Sequence, residues 1–212
     1  MTIANRSGSL YDKCPDLLRL GAWLFQKTGK SAVTLREIQI CETLRQQPHP
    51  NICLYRGVTV GAEGLVTGLV FDRYDATLFD LVHEGRRFDA VACICDVEAG
   101  IKHLHSLGYI HDDLKPDNIF YSTRTGRFVL GDFDSAHRIG STLQLKHGAI
   151  GWHPKPKSKD EVAVPGRDWY GFEVLKFWIQ MKGGGNGRND DVSPSTAEIL
   201  EMATKMLERK VF

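Results

Sequence analysis

The sequence predicts an α+β fold in two unequal lobes: a reduced sheet with one helix, then a shortened, mostly helical part. Short β-rich runs and one helical segment occupy residues 1–74. Residues 75–182 carry an amphipathic stripe and a second helix that is apolar nearly all round, the mark of a buried helix. A glycine-rich linker and a terminal helix fill residues 183–212. A chain of 212 residues suits one domain, or two small lobes sharing a cleft.

Composition narrows the function classes. With 42% hydrophobic and 25% charged residues the chain has the make-up of a folded domain with a real core. A formal net charge of +1 points neither to nucleic acid nor to a membrane surface, and a monomer is expected. The five cysteines are odd in number and scattered, as suits core thiols in a reducing compartment. No apolar signal core follows Met1 and no run approaches a membrane span, so a cytoplasmic or nuclear location is expected.

The elements follow in order. Leu18–Lys27 reads as a strand and Thr34–Arg45 as a helix, with Ile38 and Cys41 on its apolar stripe. Thr34 and Glu37 have capping-box spacing, which by itself accounts for Glu37. Ile52–Val60 and Leu65–Tyr74 are β-rich runs joined by Gly61-Ala62-Glu63-Gly64, a hairpin signal. Ala90, Ile94, Val97, Ile101 and Leu104 recur at spacings of four and three, and the stripe stops at Gly108. Phe120–Leu130 reads as a hairpin about Thr125-Gly126, which sets Asp132 at a strand end. Asp168 opens a buried helix reaching Ile179, and Lys182–Gly187 reads as a flexible linker. Ser195-x-x-Glu198 caps the last helix.

The chemistry concentrates in His111-Asp112-Asp113-Leu114-Lys115-Pro116-Asp117-Asn118 and, fourteen residues after Asn118, in Asp132-Phe133-Asp134. A carboxylate, a cation and a carboxamide are spaced there as phosphoryl transfer from ATP requires. Asp113 can accept the proton of an attacking hydroxyl, Lys115 can neutralise the group in flight, and Asn118 with Asp132 can hold Mg²⁺ against the phosphates.

These two stretches resemble the catalytic loop and metal-binding motif of eukaryotic protein kinases, H-R-D-L-K-P-x-N and D-F-G. Arg36-Glu37-Ile38, His49-Pro50-Asn51-Ile52 and the hinge-like Val70-Phe71-Asp72-Arg73-Tyr74 extend the resemblance from about Leu18 to about Ile179. The texture is similar to divergent kinase-like proteins of filamentous fungi. The resemblance implies a protein-kinase-like bilobal fold with ATP and Mg²⁺ as cofactors. Asp113 and Lys115 would be catalytic, Asn118 and Asp132 metal ligands. Lys27 and Glu37 would clamp the phosphates, with Lys30 as the rival lysine, and Asp72 and Tyr74 would contact ATP. It also implies a Ser/Thr protein substrate, which no residue identifies, and Asp168 as a brace for the catalytic loop.

The departures are specific. Asp112 stands where the family has Arg, so a phosphate on the following loop would meet repulsion instead of a charge-assisted bond. Asp134 stands where the family has a permissive glycine. No G-x-G-x-x-G precedes Lys27. Gly148-Ala149-Ile150-Gly151-Trp152 resembles the family's G-T-x-x-Y/W, but Pro154-Lys155-Pro156 replaces A-P-E, and the Glu that normally pairs with an Arg is missing there. Lys155, Lys157 and Lys159 read as a solvated loop in preference to a site for acidic substrates. Two rival readings remain: a kinase-shaped binding module without activity, and a small-molecule phosphotransferase of the same ancestry.

Overall fold

Pairing of two short β-rich runs with a third, far upstream, builds the first sheet. The computed structural model describes residues 9–14, 29–62, 64–143, 148–154, 161–186 and 194–208. β1 (Leu10–Lys13), β2 (Tyr55–Val60) and β3 (Val66–Asp72) form an antiparallel sheet in the order β1-β3-β2. The register sets Lys13 opposite Leu69 and Tyr11 opposite Phe71. The β2–β3 turn closes as its glycines suggest, with Gly61 N donating to Leu65 O at 2.9 Å. Ile52 leaves the expected strand: Cys53 N donates to Leu130 O and Leu130 N to Asn51 O, so this segment joins the two lobes.

α1 (Gly29–Gln46) begins five residues before the expected Thr34. Thr34 therefore lies inside the helix, and the capping role foreseen for Thr34 and Glu37 is not theirs. Ile40, Cys41 and Leu44 of α1 are buried under the sheet. The expected strand Leu18–Lys27 lies outside the described residues.

The second lobe is built around two helices. α2 (Leu78–His83) follows the short β4 (Ala76–Thr77) and starts with a capping box between Thr77 and Asp80. α3 (Ala90–Ser106) buries Cys93, Val97, Ile101 and Leu104, with Asp89 as N-cap. β5 (Tyr109–Ile110) leads into the 111–118 loop, which ends in a 3-10 turn, Pro116–Asn118. β6 (Ile119–Ser122) and β7 (Arg127–Leu130) form the expected hairpin, and β8 (His137–Arg138) pairs back onto β5. α4 (Gly166–Met181) starts two residues before Asp168 and buries Phe172, Val174, Leu175, Trp178 and Ile179.

The glycine run after α4 is not a loose spacer. Gly184 N donates to Ile179 O at 2.9 Å, and Gly185 O accepts from Phe88 N at 3.1 Å. Positive φ at Gly183, Gly184 and Gly185 lets the chain reverse and dock on Phe88. α5 (Thr196–Glu208) starts at the expected cap, with Ser195 N on Glu198 Oε2 at 2.7 Å, and packs on α4 through Ile199 and Ala203. Among the described residues no helix is long and apolar enough to cross a membrane. Three thiols, Cys41, Cys53 and Cys93, are buried.

Gly100 shows how closely α3 meets the 49–53 segment, since a Cβ there would lie 2.8 Å from Asn51 O. Alanine at this position adds about 1 kcal/mol of helix propensity but forces backbone apart. Gly100→Ala is expected to lower stability by about 1–2 kcal/mol net, a fall of roughly 2–8 °C in thermal midpoint. A midpoint at or above that of the parent would show that the approach is not tight.

Candidate active site

The 111–118 loop is fixed from below by one buried carboxylate. Asp168, in the first turn of α4, accepts His111 N on Oδ2 and Asp112 N on Oδ1, each at 2.8 Å. His105 Nε2 lies 2.8 Å from Oδ2. His111 is buried with its ring edge against Phe133; its Nδ1 accepts from Asp113 N and its Nε2 faces Gly131 O at 2.9 Å. That pattern assigns the proton to Nε2.

Asp112 and Asp132 both take φ of 61°, a left-handed conformation that Asp tolerates better than most residues. Such strain persists only where the surroundings impose it. At Asp112 the two bonds to Asp168 do so. Asp134, where the family has glycine, is not among the positive-φ residues, so its side chain costs no backbone strain.

The Asp113 carboxylate is held on both oxygens. Oδ2 accepts from Lys115 Nζ at 2.7 Å and Asn118 Nδ2 at 2.9 Å; Oδ1 accepts from Ala149 N at 2.7 Å. Each carboxylate oxygen has two lone pairs, so Oδ1 keeps one for an incoming hydroxyl. Asn118 Nδ2 also donates to Asp113 O, which leaves the amide oxygen for a cation. Burial would lower the Lys115 ammonium, but its hydrogen bond and charge pairing with Asp113, helped by Asp132 and Asp117, raise it overall.

The lysine that meets Glu37 is Lys13. Its Nζ lies 2.7 Å from Glu37 Oε1, 2.5 Å from Asp132 Oδ1 and 3.7 Å from Asp134 Oδ2. Lys27, expected to be that partner, lies outside the described residues; Lys30 falls in α1. The signal for Lys13 was present but weak. Leu10-Tyr11-Asp12-Lys13 is a four-residue strand, and the longer apolar run ending at Lys27 outweighs it on pattern alone. Burial opposes the Lys13 charge, but Asp132, Glu37 and Asp134 outweigh it and raise the ammonium further. Burial lifts the Glu37 carboxyl to about 6 in spite of Lys13, and Asp132 and Asp134 add to the lift.

Beside this cluster opens a cleft of about 350 Å³ whose walls include Lys13, Cys53, Phe71, Asp72, Tyr74, Phe120 and Asp132. Asp72 and Tyr74 thus both border it. The Asp72 carboxylate is taken bidentately by Arg56, at 2.6 and 2.9 Å, and the Tyr74 hydroxyl accepts from Leu54 N at 3.1 Å. Burial pushes the Cys53 thiol up to about 12, so it lines the cleft as an apolar group. Phe71 belongs to the hinge-like run, but Cys53 and Phe120 carry no site signal in the pattern, because ordinary core residues look the same in sequence.

On a metal, the donor chemistry decides. Asp132 and Asn118 offer a carboxylate and an amide oxygen, hard ligands that fit Mg²⁺ and not a soft metal. Among the described residues there is no cluster of three or more His, Cys, Asp or Glu side chains suited to a dedicated protein-only metal cage. The pair fits an ion that takes its other ligands from phosphates and water.

Comparison with known proteins agrees with this geometry. The family model for the protein kinase domain matches residues 25–154, more than half of the chain, and the chain belongs to that family. It is 32% identical over 122 residues to a probable cyclin-dependent kinase 10 of Dictyostelium discoideum, covering 56% of this chain and 32% of that protein. It is 32% identical over 136 residues to the human calcium/calmodulin-dependent protein kinase type 1B, covering 58% and 37%. The match spans about a third of the length of these relatives. Among solved structures, the kinase PK-1 of Cydia pomonella granulovirus superposes with a TM-score of 0.58 at 21% identity, covering 69% of this chain and 56% of that one. The yeast RNA Pol II CTD kinase CTDK-1 complex gives 0.63 at 18% identity, covering 91% and 59%. Both likenesses establish the protein-kinase-like bilobal fold.

The raised Glu37 carboxyl has a measurable consequence. Its folded-state value of about 6 exceeds the ordinary 4.5, so the folded protein binds the extra proton. Its contribution is therefore most favourable below pH 4.5 and is lost as pH rises through about 6. Relative to Glu37→Gln, the parent should lose about 2 kcal/mol, or roughly 4–8 °C in midpoint, between those limits. Parallel midpoint curves for the two proteins would contradict a raised Glu37.

Proposed function

We propose that this chain is an ATP- and Mg²⁺-dependent protein kinase that transfers the γ-phosphoryl group to Ser/Thr hydroxyls. Kinase-family membership supports transferase chemistry of this kind. The observation that carries the finer reading is the fixed Asp113 carboxylate, pinned by Lys115, Asn118 and Ala149 N with one Oδ1 lone pair to spare. A module that only binds has no need of a base held this firmly.

In this reading Asp113 takes the proton of the acceptor hydroxyl as its oxygen bonds to the γ-phosphorus. The bond from that phosphorus to the bridging oxygen breaks, and ADP leaves. Lys115 sits beside Asp113 to offset charge on the moving group. Lys13, oriented by Glu37, leaves Asp132 to meet the α- and β-phosphates, and Lys27 becomes unnecessary for that task. Asp132 and Asn118 would hold Mg²⁺, which when bound would supply charge neutralisation for the triphosphate. Asp72 and Tyr74 border the nucleotide, with their side chains committed to Arg56 and Leu54.

Residue-specific kinetics test this with casein as a generic acceptor. Asp113→Asn should cut kcat by about 10²–10⁴ and leave Mg-ATP affinity within about twofold, because the base acts on the hydroxyl. Asp132→Asn should weaken Mg-ATP itself. Lys13→Met should remove transfer while Lys27→Met retains it; the reverse result would return the phosphate role to Lys27. Transfer to aminoglycosides or choline but not to casein would indicate a small-molecule phosphotransferase.

Nucleotide binding gives a second check. Mg-ATP at about 100-fold over Kd should stabilise the fold by about 2.7 kcal/mol, or roughly 5–11 °C, and ATP without Mg²⁺ by much less. Binding of Mg-ATP with no turnover in any assay would make the chain a kinase-shaped binding module.

A further inference from the structure

Arg167 is buried at 2% exposure one residue before the Asp168 brace, and its guanidinium reaches three separate segments. Nε donates to Asp112 Oδ1 at 2.6 Å, Nη1 donates to Glu161 Oε1, and Nη2 lies 3.3 Å from His153 Nδ1. None of these contacts is local to the Asp113 carboxylate; those through Asp112 and His153 lead to it, and the one through Glu161 fixes the backbone at 141–143, upstream of Gly148.

The first contact neutralises Asp112 from behind the loop. Asp112 is fully buried as a side chain, and its Oδ2 has no hydrogen-bond partner, so Arg167 carries its compensation. The second reaches the far end of the segment that follows Asp132. Glu161 O accepts from Leu143 N at 2.8 Å and Ala163 N donates to Ser141 O at 2.8 Å, so the backbone at 161–163 pairs with that at 141–143. The third runs through His153, whose Nε2 lies 2.9 Å from Gly148 O. Gly148 is followed by Ala149, whose amide binds Asp113 Oδ1. A Cβ on Gly148 would sit 2.1 Å from Asp112 O and 3.0 Å from Asp113 Oδ1, so the two backbones are in direct contact.

We propose that Arg167 is a positioning residue for phosphoryl transfer: through Asp112, Glu161 and His153 it seats the Gly148–Ala149 backbone on Asp113, with no phosphate required on the intervening segment. This rests on the kinase reading given above. The charges of the brace are all encoded in the chain. Asp112 and Glu161 already occupy the guanidinium, so an added phosphate would meet two carboxylates instead of an open cation. A planar fork with donors on separate nitrogens suits this task, because the single nitrogen of a lysine cannot span partners set along different edges of the guanidinium.

The test uses the whole chain. The double variant Asp112→Asn with Arg167→Gln removes the cation and the fully buried anion together, so the one carboxylate that loses Arg167 is Glu161, which is 21% exposed and reaches solvent. It should unfold cooperatively and bind Mg-ATP within about twofold of the parent. The Ala149 amide should exchange at least about tenfold faster, and kcat for casein should fall at least about tenfold with KM for ATP unchanged. Arg167→Lys should lie between parent and double variant in both readouts. His153→Leu leaves the Arg167–Asp112 pair in place and cuts the imidazole's contacts with Gly148, Pro154 and Arg167 Nη2, so it should also speed Ala149 exchange, even if the double variant does not fold. Phosphatase treatment of the parent should change neither exchange nor kcat. Unchanged Ala149 exchange in His153→Leu or in a folded double variant overturns the proposal, as does loss of activity on phosphatase treatment. Faster exchange in a protein that never transfers phosphate would uphold the brace and remove the kinase reading.

Discussion

Two backbone amides where the 111–118 loop begins, those of His111 and Asp112, donate to the buried Asp168 carboxylate, and the geometry of the site follows from that pair of bonds. A carboxylate with both oxygens accepting main-chain donors holds a segment in one orientation, and here it holds Asp112 in a left-handed conformation it would not otherwise keep. With Asp112 so turned, its side chain points into the protein toward Arg167, while Asp113 meets Lys115, Asn118 and Ala149. Loss of Asp168 would release these arrangements together.

Charge is arranged on the same principle. Around the loop, acids gather on cations: Asp132, Asp134 and Glu37 on Lys13, Asp112 and Glu161 on Arg167, and Asp113 on Lys115. Between Arg167 and Asp112, both buried, removing one partner leaves the other uncompensated at a cost of about 3–5 kcal/mol. Lys13 and Arg167 differ in kind. Lys13, a point charge on a flexible stem at the cleft edge, can change partners. Arg167, a planar fork enclosed by protein, cannot.

The expected helix and hairpin are present at Ala90–Leu104 and, within shorter bounds than expected, at Tyr55–Asp72, because burial of one face leaves a repeating trace. Boundaries moved where capping chemistry competed with length. Thr34 and Glu37 have capping-box spacing but lie within α1, since the ion pair with Lys13 gives Glu37 a different task. The glycine run 183–185 looked like a spacer because glycine is equally suited to flexible chain and to consecutive positive φ. Docking on Phe88 decides between them.

The sequence by itself determined the family and the segment 111–118. Asp113, Lys115 and Asn118 interact within five residues of one another, so their spacing already contains their geometry. Only the tertiary structure brought Lys13 to Glu37 across 24 residues and Arg167 to Asp112 across 55. An ion pair between distant residues depends on sheet register and helix packing, which act on whole elements and leave no mark in the spacing of the two residues that meet.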